Sequence, residues 1–287
     1  MPDFSLCDPR IVSDILRRHG VRLSKGLGQN FLTDPSVPPR IAGLSLCEGK
    51  GVIEIGPGVG ALTCELARLA EKVVAVELDR RLIPVLNETM VGFPNVKIIN
   101  ADILRLDLHR LIEEEFSGME VCVCANLPYY ITTPIIMSLL ERRLPVSHIT
   151  VMVQKEVAER LTAEAGSHDA GAVTYAVRYL CEPELLFDVA PTSFLPPPKV
   201  TSSVIRLTLR EKPAVAVSDE RLLFSLIKAA FAQRRKTLVN ALAAPPLSIP
   251  KERSGEILVS LGLGRDVRGE RLTLEDYAAL CERLVIN

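Results

Sequence analysis

Short apolar runs and longer amphipathic stretches alternate through the middle of the chain. GVIEI (51–55), KVVAVEL (72–78), VKIINA (96–101), MEVCVCANL (119–127) and HITVMVQ (148–154) lack polar alternation, as strands covered on both faces do. Between them, ALTCELARLA, DRRLIPVLNETM, LHRLIEEEF and TPIIMSLLERR carry apolar positions at helical spacing. Successive βα units of this kind predict a doubly wound parallel α/β sheet. KEVAERLTAEA (155–165) and AVTYAVRYL (172–180) read as helices, and ELLFDVA (184–190) and SSVIRLTLR (202–210) as strands. The proline-rich PTSFLPPPKVT between those strands is too short for a crossover helix, so an antiparallel hairpin is expected at the end of the sheet. From Ser218 onward only helical signals remain. The expected organisation is an N-terminal helical arm (1–25), the α/β domain (26–210), a linker (211–217) holding Pro213, and a small all-α C-terminal domain (218–287).

With 48% apolar and 24% charged residues over 287 positions, the chain has the composition of a globular enzyme. No apolar run approaches the roughly 20 residues of a spanning helix, so no membrane association is expected. Pro2, Asp3, Asp8 and Pro9 stand where an export signal would be basic and then apolar, so the expected compartment is the cytoplasm. None of the seven cysteines forms a C-x-x-C pair. Cys122 and Cys124 share one face of an apolar strand and read as core thiols rather than a redox pair. The four histidines are scattered without ligand spacing, so no metal is expected. Thirty-four basic against 35 acidic residues give a net charge of -1, which argues against a uniformly basic nucleic-acid coat and leaves room for local basic patches.

In GVIEIGPGVGALTCEL, Gly56, Gly58 and Gly60 fall at the turn from the first strand of this series into its helix. Glycines there let backbone N–H groups approach a ligand at a helix N-terminus. Glu77 ends the next strand about 20 residues on, where a carboxylate can accept both hydroxyls of a ribose. Gly56, Gly58 and Ala61 also fit the dinucleotide pattern, leaving NAD as an alternative. Asp102, at the end of the third strand, can accept from the exocyclic amine of an adenine ring or simply cap the following helix. Together the glycine turn, Glu77 and Asp102, with the neighbouring Leu78 and Ile103, suit S-adenosyl-L-methionine better than NAD.

The fourth strand ends in NLPYYITTP (126–134), beside the cofactor's expected position. An aromatic exocyclic amine is a poor nucleophile because its lone pair is delocalised. The Asn126 side-chain oxygen and a backbone carbonyl at Leu127 or Pro128 could hold its two N–H groups and favour a pyramidal nitrogen. Pro128 stiffens the loop, and Tyr129 offers a face on which a flipped-out base can stack. A plain turn is the alternative for such a tetrapeptide.

NLPYYITTP, with GLGQNFL (26–32), EIGPGVGALT (54–63), AVELDRRL (75–82), MVQKEVAERL (152–161), FLPPPKVTSSVIRL (194–207) and AFAQRRKTL (230–238), closely resembles the bacterial small-subunit ribosomal RNA adenine dimethyltransferase family, in order and over most of the chain. The resemblance implies a Rossmann-like class I methyltransferase fold and N6,N6-dimethylation of two adjacent adenosines in the 3′-terminal hairpin of 16S rRNA in the 30S subunit. It implies that Asn30 and Leu32 close over the cofactor, Gly56 contacts it, Glu77 binds its ribose and Asp102 its adenine. Asn126 would span cofactor and target amine, and Phe194 would face Tyr129 as a second aromatic wall, although a loop phenylalanine also serves as packing. Where relatives carry a tyrosine-glycine pair, this chain has Ala170-Gly171, which puts an RNA contact at that turn in doubt.

Two basic groups, Arg17, Arg18, Arg22 and Lys25, and Lys228, Arg234, Arg235 and Lys236, read as phosphate contacts or as solvated faces. Nothing demands more than a monomer. Three rival functions remain: an erythromycin-resistance-type methyltransferase of large-subunit rRNA, a non-catalytic RNA-binding assembly factor, and an NAD oxidoreductase, which lacks a visible proton donor near the cleft.

Overall fold

The structure, a computed structural model, describes residues 5–21 and 29–286; Arg22 and Lys25 lie outside the described residues. Helix α1 (Pro9–Arg18) starts at Asp8, whose carboxylate accepts from the Arg10 N–H, and places Val12, Ile15 and Leu16 in the main core. Helix α1 therefore packs into the α/β unit. A two-residue strand β1 (Phe31–Leu32) and helix α2 (Val37–Leu44) follow. Neither is legible in the sequence pattern, since a two-residue strand has no period and VPPRIAGL contains two prolines and a glycine. Its prolines are tolerated because they sit in the first turn, where no N–H bond is lost.

The alternating core then runs β2 (Gly51–Ile55), α3 (Ala61–Leu69), β3 (Lys72–Glu77), α4 (Ile83–Thr89), β4 (Val96–Asn100), α5 (Leu108–Glu115), β5 (Val121–Asn126), α6 (Thr132–Glu141), β6 (His148–Gln154) and α7 (Lys155–Thr162). Helix α8 (Ala172–Leu180), strands β7 (Cys181–Val189), β8 (Phe194–Leu195) and β9 (Ser202–Leu209), and helices α9 (Glu220–Ala232), α10 (Leu238–Leu242), α11 (Lys251–Ser260) and α12 (Leu274–Ile286) complete it. Seven strands form one sheet in the order β4-β3-β2-β5-β6-β9-β7. β2 pairs parallel with β3 and with β5, and β5 parallel with β6, whereas β9 runs antiparallel to β6, His148 opposite Thr208. This is the expected doubly wound, Rossmann-like sheet with an antiparallel end. Pro183 is accommodated because β7 is an edge strand. All seven cysteines are free and buried, Cys122 and Cys124 completely. No described helix is long and apolar enough to cross a membrane.

The chain leaves β2 toward β3 on one side and resumes at β5 on the other. That reversal opens a crevice at the carboxyl ends of β2, β3 and β5, the place where doubly wound sheets bind ligands.

The boundary between compact units differs from the one expected from sequence. One unit takes the chain up to Ala158 and again Glu184–Leu209; the other takes Glu159–Pro183 and the chain from Arg210. Residues 159–183 join the C-terminal helices because α8 contributes Tyr175 and Tyr179, both essentially buried, to the core of Leu223, Ile227, Tyr277 and Leu280. The Tyr175 hydroxyl donates to the Leu272 carbonyl at 2.5 Å. Val215 and Val217, expected in a linker, pack against this same core.

Candidate active site

The glycine turn after β2 holds Gly56 at φ 69° and Gly58 at φ 63°, left-handed conformations that side chains disfavour. A Cβ on Gly58 would also come within 3.0 Å of the Phe31 ring, so glycine there lets β1 lie against the turn. Glu77, at the end of β3, is only 6% exposed. Its Oε1 accepts from the Asp79 N–H at 2.7 Å and its Oε2 from the Gly58 N–H at 3.3 Å. Burial raises its pKa, and these two backbone donors oppose the rise.

Nearby, Glu54 is 1% exposed, and burial pushes its pKa to about 8. This carboxyl lies among the cavity walls. Asp102 Oδ1 accepts from the Leu104 N–H at 3.0 Å, so the local turn-capping role exists; a carboxylate oxygen has more than one lone pair, and the side chain still faces the cavity.

At the end of β5, Asn126 Nδ2 donates to the Asn30 carbonyl at 3.3 Å. A carbonyl can only accept, so this bond fixes which end of the amide is nitrogen and leaves Oδ1 as an acceptor. The Pro128 carbonyl already accepts from the Ile131 N–H and the Thr132 hydroxyl, both at 3.1 Å. Of the two backbone acceptors open in the sequence reading, this favours Leu127. The Tyr129 hydroxyl is bonded to that of Ser202, and burial raises its pKa. Tyr130, given no role from sequence, is 56% exposed and lines the same cavity.

One cavity brings together Asn30, Leu32, Gly56, Gly58, Glu77, Leu78, Asp102, Ile103 and Asn126 with Leu127, Pro128 and Tyr129. Their convergence from five separate segments is a result of the sheet order. Gln29 and Glu54 also line it and were missed; Gln29 belongs to the quoted GLGQNFL stretch, whereas nothing local distinguishes Glu54 from a core position except its charge. Phe194 stands apart from these residues. It is 3% exposed, belongs to the main core with Phe31 and Val189, and does not line the cavity. The pairing of β8 with β1, Phe194 opposite Leu32, places both side chains in that core.

The basic residues are partly engaged. Arg17 pairs with Asp14 at 2.6 Å and Arg18 with Glu88 at 2.7 Å. Arg234 pairs with Glu270 at 3.0 Å, donates to the His168 carbonyl, and lies over the Phe231 ring. Lys228, Arg235 and Lys236 are exposed, with no carboxylate partner among the described residues. Ala170 is fully buried in the helical core, so its side chain is unavailable to RNA.

Comparison with known proteins adds a family. The profile described as "Ribosomal RNA adenine dimethylase" matches residues 20–280. A protein of Alkaliphilus oremlandii named "Ribosomal RNA small subunit methyltransferase A" is 48% identical over 280 residues, covering 97% of this chain and 98% of its own length. One of the same name from a Geobacillus species is 46% identical over 97% of each chain. Among solved structures, a dimethyladenosine transferase from Plasmodium falciparum superposes with a TM-score of 0.72 at 25% identity, over 87% of this chain and 95% of its own. The 23S rRNA methyltransferase ErmE gives 0.69 at 29% identity, over 89% and 100%.

Proposed function

We propose, from the premise that this chain belongs to the ribosomal RNA adenine dimethylase family and is an rRNA adenine dimethyltransferase, that it uses S-adenosyl-L-methionine to form N6,N6-dimethyladenosine at two adjacent adenosines in the 3′-terminal hairpin of 16S rRNA within the 30S subunit. The observation that carries this reading is the convergence of Asn126 and Leu127, at the end of β5, with Glu77 and Asp102 on one cavity, with the Asn126 amide oriented by its bond to the Asn30 carbonyl.

The residues present fit the cofactor. The Gly56–Gly58 turn allows close backbone approach, the Glu77 carboxylate is placed to accept from two ribose hydroxyls, Leu78 and Ile103 offer apolar walls to a flat ring, and Asp102 accepts from its amine. When bound, S-adenosyl-L-methionine supplies an electrophilic methyl whose bond to sulfur breaks as the nitrogen lone pair bonds to carbon. Asn126 and Leu127 hold the adenine amine by its hydrogens, which turns the lone pair out of conjugation and toward that methyl. Tyr129 stacks on the extruded base, with the exposed ring of Tyr130 at the same opening. No side chain has to deprotonate the amine first, because the nitrogen becomes acidic once alkylated and releases its proton afterwards. Catalysis is then chiefly alignment, worth as much as about 7–11 kcal/mol in favourable cases.

Phosphate contacts are assigned to Arg17, Arg18, Arg22 and Lys25 and to Lys228, Arg234, Arg235 and Lys236. The existing surface ion pairs do not oppose this strongly, since such pairs contribute only about 0–1 kcal/mol and can exchange for phosphate. Arg235 gives the cleaner test, because Arg234 already has a carboxylate partner. Wild-type protein should bind S-adenosylhomocysteine and 30S particles, and no NADH. Arg235→Glu should weaken 30S binding about tenfold or more at low salt while leaving S-adenosylhomocysteine affinity unchanged. Equal 30S binding by the two proteins would remove Arg235 from the interface, and NADH binding would overturn the cofactor assignment.

A further inference from the structure

Asp79 is 7% exposed and stands beside Glu77, on which cofactor binding depends. Its Oδ1 accepts from the Arg81 backbone N–H at 3.1 Å and from Arg81 Nε at 2.9 Å. Its Oδ2 accepts from Arg81 Nη2 at 2.7 Å and from Gln29 Nε2 at 2.8 Å. Its own N–H donates to Glu77 Oε1. Arg81 keeps this carboxyl below the usual carboxylate range, so it remains a charged acceptor for the Gln29 amide.

Gln29 is 50 residues away in sequence and opens the segment whose next carbonyl, that of Asn30, takes the Asn126 amide. Two residues further on, the segment becomes β1, fixed by its register with β8 and by the Thr33 N–H donating to the Ser193 carbonyl at 2.8 Å. The segment 29–32 is thus a strap across the cavity, held by the β1–β8 ribbon at one end and by Asp79 at the other.

We propose that Asp79 is a positioning residue for methyl transfer, anchoring Gln29 so that the Asn30 carbonyl sets the orientation of the Asn126 amide. The proposal rests on the function assigned above. Without the anchor, the hold on Asn30 weakens, and with it the bond that distinguishes the oxygen of the Asn126 amide from its nitrogen. A flipped amide would present N–H groups to an amine that also donates, which is a repulsive contact in place of an attractive one. Glu77 itself stays in place, so the loss falls on alignment more than on cofactor affinity.

Asp79 also caps the turn preceding α4 through the Arg81 N–H, so Asp79→Ala would mix two effects. Asp79→Ser keeps a capping oxygen but is too short to reach Gln29, and Gln29→Ala leaves the cap intact. Each variant should lower kcat about 10- to 100-fold while S-adenosylhomocysteine affinity changes less than about fivefold. The melting temperature of Gln29→Ala should stay within about 2 °C of wild type, less than one kcal/mol of lost stability would move it. The double variant should be no slower than the slower single one, the signature of a shared interaction. In ligand-free protein, hydrogen exchange of a peptide spanning residues 29–34 should quicken in both variants.

Unchanged kcat, multiplying effects, or unaltered exchange would overturn the proposal. If wild-type protein itself transfers no methyl, the assigned function fails, and the exchange measurement alone decides the strap: faster exchange in both variants sustains the anchor, and unaltered exchange removes it.

Discussion

Asn126→Ala should reduce turnover at saturating cofactor and rRNA by about 10²–10³-fold, the scale seen when one preorganised polar partner of a transition state is deleted. Cofactor affinity should stay within about tenfold, because Glu77 and the glycine turn remain in place and truncation of an alignment group acts on kcat. Asn126→Asp refines the test. It retains an acceptor oxygen but replaces the N–H that bonds the Asn30 carbonyl with a second acceptor, setting two lone pairs against each other. Its turnover should therefore also fall, and its cofactor affinity should suffer more than that of Asn126→Ala, since a charge is left without its partner in a half-buried site. Single-turnover kinetics with calorimetry of S-adenosylhomocysteine binding separates these effects. Undiminished turnover in Asn126→Ala would show that the amide does not hold the target amine.

Glu77→Ala should act on the other side of the ledger. Two hydrogen bonds from ribose hydroxyls to a charged acceptor are worth about 1.5–3 kcal/mol each, and the recovered desolvation of the buried carboxylate offsets part of that. The expected loss of S-adenosylhomocysteine affinity is about 10²-fold or more, with kcat at saturating cofactor reduced less than about tenfold. The variant also strands the Asp79 and Gly58 N–H groups that Glu77 now satisfies, so its melting temperature should fall. Glu77→Gln, which keeps one acceptor oxygen, should recover most of the stability and only part of the affinity. Affinity equal to wild type in Glu77→Ala would remove Glu77 from the cofactor site.

The legible parts of this molecule are those whose physics is local. Unbroken apolar runs such as VCVCA identify strands buried on both faces, and that identifies a parallel sheet. Gly56 and Gly58, Glu77, Asp102 and Asn126 all sit at strand ends, where a ligand-facing residue breaks an apolar run and announces itself. What escaped depends on partners distant in sequence. Phe194 looked like a loop aromatic free to stack on a base, but its exposure is decided by β1, more than 160 residues earlier. Helices α7 and α8 follow the sheet without a visible break, and only the burial of Tyr175 and Tyr179 among C-terminal residues shows where the unit boundary falls. Nothing local in the sequence singles out Asp79. Its bond to Gln29 exists only because the strap folds back over β3.

Transfer of labelled methyl from S-adenosyl-L-methionine to unmethylated 30S particles, with 50S particles alongside and the product nucleoside identified, tests the central claim most directly. N6,N6-dimethyladenosine in 30S alone is the predicted result. Label in 50S would contradict it and point to activity on 23S rRNA, as in the 23S rRNA methyltransferase ErmE, and binding to 30S without any label would contradict the catalytic role of Asn126 and leave an assembly factor.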